Sequence, residues 1–205
     1  LFSTQFIFKA VRQNTDILVL GLLTTPEIVS SYGVARRVLD SSFLSIEALN
    51  RLIYPGSAVV LMNGFHAASG RVRRVLAAAV LISTAAAASI FILSPLMPVL
   101  FGHSYPSMVE FTRALCWLVV PMAVGSVALE AFGAAGRQDI RALITNTGNI
   151  GAAALVAAVT WIAGINGAFA SSYLVEILAA AVVWAVLLRF IQADRSRHGE
   201  PVPAE

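Results

Sequence analysis

Residues 32–54 read YGVARRVLDSSFLSIEALNRLIY, a helical pattern that is apolar over most of its circumference yet carries five charges. At about 100° per residue, Tyr32, Arg36, Asp40, Phe43, Glu47, Asn50, Arg51 and Tyr54 fall on one side. With Arg36 as zero, Asp40 lies at about 40°, Glu47 at about 20°, Arg51 at about 60°, and Tyr32 and Asn50 at about −40°. Val34, Ser41, Ser42, Ser45 and Leu52 take the opposite side. The segment is therefore a long helix with a charged stripe. The function depends on whether that stripe meets water, lipid or a cavity.

The surrounding chain makes the stripe costly. Of 205 residues, 58% are hydrophobic and 12% charged, with a mean hydropathy of +0.81. Soluble domains carry about 25% charged residues, so the composition predicts an all-α, polytopic membrane protein. The net charge of +3 is no nucleic-acid footprint, because the arginines are scattered among apolar spans. The single Cys116 excludes an internal disulfide and a multi-cysteine metal site. Within its apolar run it reads as a packing residue. The chain opens on Leu1, and its first helix carries Lys9, Arg12 and Asp16 with no small-residue cleavage site after it. That is not a signal peptide, and it predicts a sequence beginning inside a larger protein.

Six membrane helices are expected, at about residues 2–23, 29–62, 75–100, 109–132, 140–163 and 168–191. Together they would form one transmembrane lobe over residues 1–192, followed by a polar tail at 193–205. Three expected loops, 24–30, 101–107 and 164–167, contain no Lys or Arg. The alternate ones are basic: 63–74 holds Arg71, Arg73 and Arg74; 136–141 holds Arg137 and Arg141; Arg189, Arg195 and Arg197 close the chain. The positive-inside rule puts the basic loops and both termini in the cytoplasm.

The first helix has a polar stripe of its own. Gln5, Lys9, Arg12, Gln13 and Asp16 lie within roughly 100° of arc, and Arg12 and Asp16 are spaced to pair. Helices 3 and 5, with AAAVLISTAAAASIFIL and NTGNIGAAALVAAV, are smooth, small-residue packing helices. Pro55, Pro95, Pro98 and Pro121 are expected to interrupt helices 2, 3 and 4. Neither a zinc spacing nor a nucleotide loop nor a hydrolase motif is present, so no metal, cofactor or catalytic residue is expected. His66, His103 and His198 are separate and read as surface residues.

Charges inside a span face protein or a water-filled cavity. Arg36 and Arg51 are about 22 Å apart along the helix axis, too far for snorkelling to free the whole stripe. Two readings stay open. In one, Arg36–Asp40 and Glu47–Arg51 are pairs that stabilise a buried interface. In the other, the stripes of helices 1 and 2 line an aqueous path. Arginine suits phosphate through planar bidentate donors. Tyr32, Phe43 and Tyr54 on the same face suit sugar or isoprenoid surfaces. Arg37, rotated by about 100°, would meet another helix. Glu110 and Arg113 read as an interfacial pair. Glu176, deep in helix 6 with no local partner, is a candidate for cation coupling or a contact to a further part of the protein.

The run NTDILVLGLLTTPEIVSSYGVARRV, with Thr15, Asp16, Leu20, Gly21, Pro26, Glu27, Tyr32 and Ala35, resembles the pattern that opens the second half of lipid-linked oligosaccharide flippases. That polysaccharide-biosynthesis family belongs to the multidrug/oligosaccharidyl-lipid/polysaccharide exporter superfamily. Pro55, Phe101-Gly102 before Tyr105, Gly136-Arg137, and Gly167-Ala168 with Glu176 follow in the same order. Ser30-Ser31 departs from the family, which often has a glycine there.

The resemblance implies a MATE-like fold of two six-helix lobes, of which this chain is similar to the C-terminal one. The implied activity is flipping of an undecaprenyl-pyrophosphate-linked oligosaccharide by alternating access in a bacterial inner membrane. Its implied partners are the lipid-linked oligosaccharide, membrane lipid and an N-terminal six-helix lobe. Substrate would meet Lys9, Arg12, Tyr32, Arg36, Asn50, Arg51 and Tyr54. Asp16, Asp40, Glu47 and Glu176 would position the arginines or accept a coupling cation. A multidrug/cation antiporter of the same fold is the alternative, though its cavity should be more acidic. An enzyme acting on polyprenyl phosphate would need interfacial carboxylates for a metal. A purely structural subunit leaves both stripes unexplained. As one lobe of two, the isolated chain is expected not to transport.

Overall fold

The structure is a computed structural model describing residues 2–61, 65–102, 104–105 and 107–198, with side chains described for these except 2–9, 45, 49–61, 65–69, 195 and 197–198. The described residues are helical apart from short turns. α1 spans Phe2–Leu23 and α2 Pro26–Leu61, with a link of only Thr24 and Thr25 between them. Pro26 starts α2 at the position where a missing N–H costs nothing, and Glu27 sits at the positive end of the helix dipole. The Thr25 carbonyl accepts from Ile28 and Val29. α2 continues as helix through Pro55, which was expected to interrupt it.

α3 spans Phe65–Leu93 and begins ten residues before the expected 75. Arg71, Arg73 and Arg74 therefore lie on a helix, not in a loop. Arginine is a good helix former, and charge alone had marked the segment as a loop. A 3-10 turn at Ser94–Leu96 joins α3 to the short α4, Met97–Phe101. Pro95 and Pro98 each stand at the start of one of these pieces. Gly102, at φ 84°, ends the run.

The expected fourth helix is two. α5, Met108–Leu115, passes through a 3-10 turn, Cys116–Leu118, into α6, Val119–Ala134. Pro121 has no N–H for the Trp117 carbonyl, and the backbone tightens there, with Val119 N–H donating to the Cys116 carbonyl. Gly136 then closes α6 with the two bonds of a Schellman cap. Arg137 N–H donates to Phe132 O at 2.9 Å, and Gly136 N–H to Gly133 O at 3.1 Å.

α7, Gln138–His198, breaks at Gly164, whose φ of 60° and ψ of −135° are not helical. The two arms fold back on each other. Val156 and Val175 share one apolar cluster, yet a straight helix would hold them about 28 Å apart. Ile144 likewise meets Val183 and Leu187. The second arm runs on to His198, several residues into the expected polar tail.

α1 packs chiefly on α7, α2 on α5 and α6, and α3 on α6. The main core joins Leu20, Leu39, Ile46, Ala79, Leu115 and Ala123. A second cluster, Val72, Phe132, Ile140, Leu187 and Phe190, gathers the basic segments of α3, the α6–α7 turn and the end of α7 at one end of the bundle. The outer surface is strongly apolar: Leu81, Ile92 and Ile162 are 72%, 71% and 83% exposed, the inverse of a water-facing surface.

Among the described residues, three stretches are long and apolar enough to cross a membrane: Gly70–Phe101, Met108–Ala134 and Gln138–Asp194.

Candidate functional site

On α2 the buried positions Tyr32, Ala35, Arg36, Leu39 and Ile46 recur at helical spacing. They centre about 55° to one side of Arg36. The exposed positions Arg37, Ser41, Leu44 and Ala48 centre about 110° to the other side. The charged stripe therefore follows the border between the two faces. Tyr32 and Arg36 lie inside, while the Asp40 side chain is 39% exposed and Glu47 is half-buried. Neither extreme reading, wholly buried pairs or a fully open wall, describes it.

The buried edge of the stripe belongs to a network across three helices. Tyr32 has no exposed surface. Its hydroxyl donates to Asp16 Oδ2 at 2.6 Å, Ser172 lies beside the phenol, and its ring packs on Phe169 with centroids 5.8 Å apart. Asp16 Oδ1 accepts the Ile17 N–H at 2.8 Å. An aromatic surface for sugar is therefore not what Tyr32 offers; it is the donor that fixes Asp16.

With Asp16 engaged by Tyr32, Arg12 pairs elsewhere than its own helix. One guanidinium nitrogen bonds Glu176 of the second α7 arm. Another donates to Asn149 Oδ1 of the first arm at 3.3 Å. Arg36, Asp16 and Asp40 stand within electrostatic reach of Arg12. Glu176, for which the sequence offered no local partner, thus takes one from α1. Arg36 Nε and Asp40 Oδ1 are 3.9 Å apart, an ion pair without a hydrogen bond.

The fold brings together Arg12, Asp16, Tyr32, Arg36, Asp40 and Glu176. Glu47 lies further along the stripe. Lys9, Asn50, Arg51 and Tyr54 lie outside the residues whose side chains are described. Asn149 was missed. It sits in a small-residue helix read as mere packing, and the signal was the pair of amides, Asn146 and Asn149, three residues apart in an otherwise alanine-rich run.

The remaining charges are simpler. Arg113 does not pair with Glu110; its Nε donates to Ser94 Oγ at 2.8 Å, and its guanidinium lies over Phe91 at 5.2 Å. Arg141 bonds Glu130 at 2.7 Å. Arg137 stacks over Phe190 at 5.2 Å. Arg37 is exposed. No group of three or more His, Cys, Asp or Glu side chains suited to a metal occurs among the described residues.

Arginines held inside an apolar bundle by carboxylate and amide partners form a site that can bind an anion. No protein-family profile, curated protein or solved structure matches the chain.

Proposed function

We propose that the chain is one lobe of a membrane flippase for an undecaprenyl-pyrophosphate-linked oligosaccharide, working by alternating access. The observation that carries this reading is the network of Arg12, Asp16, Tyr32, Arg36, Asn149 and Glu176 between α1, α2 and α7. Such a network is expensive in an apolar protein, and its arginines are the residues best matched to pyrophosphate. The half-open edge of the stripe, Asp40 and Glu47, continues the same path along α2. The order of short motifs from Thr15 to Glu176 favours the same family.

In this reading α1, α2, α3 with α4, α5 with α6, and the two arms of α7 are six crossings of a bacterial inner membrane. The end that gathers Arg71, Arg73, Arg74, Arg137, Arg141 and Arg189 faces the cytoplasm, as do both termini. A second six-helix lobe completes the cavity along the open edge of α2. Arg12 and Arg36, with Lys9 and Arg51, bind the pyrophosphate or acidic sugars, and Asp16 and Tyr32 keep α1 and α2 in register.

The test is flipping of a fluorescent polyprenyl-pyrophosphate glycan in liposomes by the two-lobe protein. Arg36→Ala with Arg51→Ala is expected to lower the rate at least tenfold. Unchanged flipping by a well-folded double variant removes the stripe from the mechanism. Transport of cationic dyes in place of the glycan would favour the antiporter reading.

A further inference from the structure

Where α1, α2 and α7 meet, two buried nitrogen donors have no partner among the described residues, as has one buried acceptor, Asn146 Oδ1. Asn149 is 4% exposed. Its Oδ1 accepts from Arg12, but its Nδ2 has no acceptor among the described residues. Arg36 is 8% exposed, and its Nε likewise has none. Buried donors are normally satisfied, and each one that is not calls for a group to satisfy it. The carboxylates nearby do not fill this role. Asp16 is engaged by Tyr32 and the Ile17 N–H. Asp40 stays 3.9 Å from Arg36. Glu176 bonds Arg12, and it makes no hydrogen bond to Arg36 or Asn149 among the described residues.

Arg12 is partly open, with 23% of its side chain exposed against 11% for Glu176. The Arg12 side chain is thus half-buried, not sealed inside the bundle. The spare donors then point to an incoming group with several acceptor oxygens.

We infer that a phosphate or pyrophosphate group replaces the Glu176 carboxylate on Arg12, accepting further hydrogen bonds from Asn149 Nδ2 and Arg36 Nε. Glu176 is then a positioning residue. It holds Arg12 in place between binding events and competes with the ligand for it. Only hydrogen bonds and charge are exchanged; no covalent bond changes. The inference rests on the reading that this network meets a lipid-linked pyrophosphate, and it adds Asn149 and Glu176 to the residues that set affinity. It also has a mechanical consequence. α1 packs chiefly on α7, so displacing Glu176 from Arg12 removes a polar tie between the two helices as substrate binds.

The experiment is equilibrium binding to the whole 205-residue chain in lipid nanodiscs. The probes are farnesyl pyrophosphate, inorganic pyrophosphate and farnesol. Removing a charged competitor from a buried guanidinium is worth about tenfold in affinity. Glu176→Gln is therefore expected to bind farnesyl pyrophosphate about tenfold tighter. Glu176→Asp should behave like the parent, and Asn149→Leu should bind several-fold more weakly. Misfolding lowers affinity, so a gain in Glu176→Gln cannot come from structural damage.

If Glu176→Gln does not fold, Asn149→Asp is the second variant. It sets a new carboxylate beside Arg12 and is expected to weaken binding at least tenfold. Equal tightening toward inorganic pyrophosphate supports the phosphate site and shows that it needs no lipid tail. Parent-like or weaker binding by folded Glu176→Gln overturns the inference while leaving the flippase reading intact. Unchanged binding by Asn149→Asp does the same. No binding of either pyrophosphate by the parent and Glu176→Gln overturns the inference, as does equal binding of farnesol, while the flippase reading stands or falls by the flipping assay on the two-lobe protein.

Discussion

Tyr32→Phe is the sharpest test of whether the α1–α2 contact is charged. The substitution keeps the ring that packs on Phe169 and removes one O–H, the donor to Asp16 Oδ2 at 2.6 Å. Both residues are buried, at 0% and 2% exposure, so water cannot take the place of the lost donor. Hydrogen bonds to charged groups contribute about 1.5–3 kcal/mol. Interhelical hydrogen bonds in membranes average about 0.6 kcal/mol. The two values separate the cases. If Asp16 is a carboxylate, Tyr32→Phe should cost about 2 kcal/mol.

The assay is reversible unfolding in mixed micelles, read by helical circular dichroism. A double-mutant cycle with Asp16→Asn isolates the pair, and a coupling energy of about 1 kcal/mol or more is expected. A cost of about 0.6 kcal/mol or less for Tyr32→Phe, or additive single effects, would refute a charged α1–α2 contact. Asp16 would then be a neutral packing group, and its part in holding the arginine network would fall with it.

Three further perturbations test the packing that positions the network. At Gly167 an added Cβ would stand 2.3 Å from the Val159 carbonyl oxygen, which is backbone and cannot rotate away; Gly167→Ala is expected to cost about 3 kcal/mol and to lower the yield of folded protein. At Gly125 the nearest atom is an Ala180 Cα at 3.5 Å, an ordinary contact, so Gly125→Ala is expected to leave yield and unfolding midpoint within error of the parent. Tyr173 donates to the Ala114 carbonyl at 2.6 Å, beside the 3-10 turn that precedes Pro121. Tyr173→Phe should cost about 1 kcal/mol in the same unfolding assay, and no change would mean that the turn holds without it.

The helices were legible because two local signals agree in this sequence. Long apolar runs mark the segments, and residues with special backbone chemistry mark their ends: Pro26 opens α2, Gly136 caps α6 and Gly164 turns α7. Prolines inside the runs were less decisive. Pro121 lies beside a 3-10 turn, whereas α2 runs helically through Pro55. A proline removes one bond in either case, and whether the helix tightens or carries on depends on what the neighbouring helices supply. The start of α3 was misplaced because charge was taken as a sign of loop, although arginine is compatible with helix and Val72 is drawn into a core shared with α6 and α7. The polar stripes of α1 and α2 were also legible, since periodicity needs only one helix.

What periodicity cannot reach is the partner. Arg12 and Asp16 sit at ideal spacing on one helix, and local reasoning joins them. The fold instead joins Arg12 to Glu176, 164 positions away, and Asp16 to Tyr32. The reason is geometric. A pair on one helix satisfies charge but holds nothing else together, whereas the same charges shared between helices fix α1 against both α2 and α7. The exchange also alters what the site can do. An Arg12–Asp16 pair would be a closed local unit on α1. Crossed pairing makes Arg12 a tie between helices, and the neighbouring donors Asn149 Nδ2 and Arg36 Nε are left without acceptors among the described residues. An anion that satisfies those donors must compete with the carboxylate that holds α1 to α7. In the proposed reading, binding and the separation of these helices are linked by the same guanidinium, which is the kind of coupling that alternating access requires.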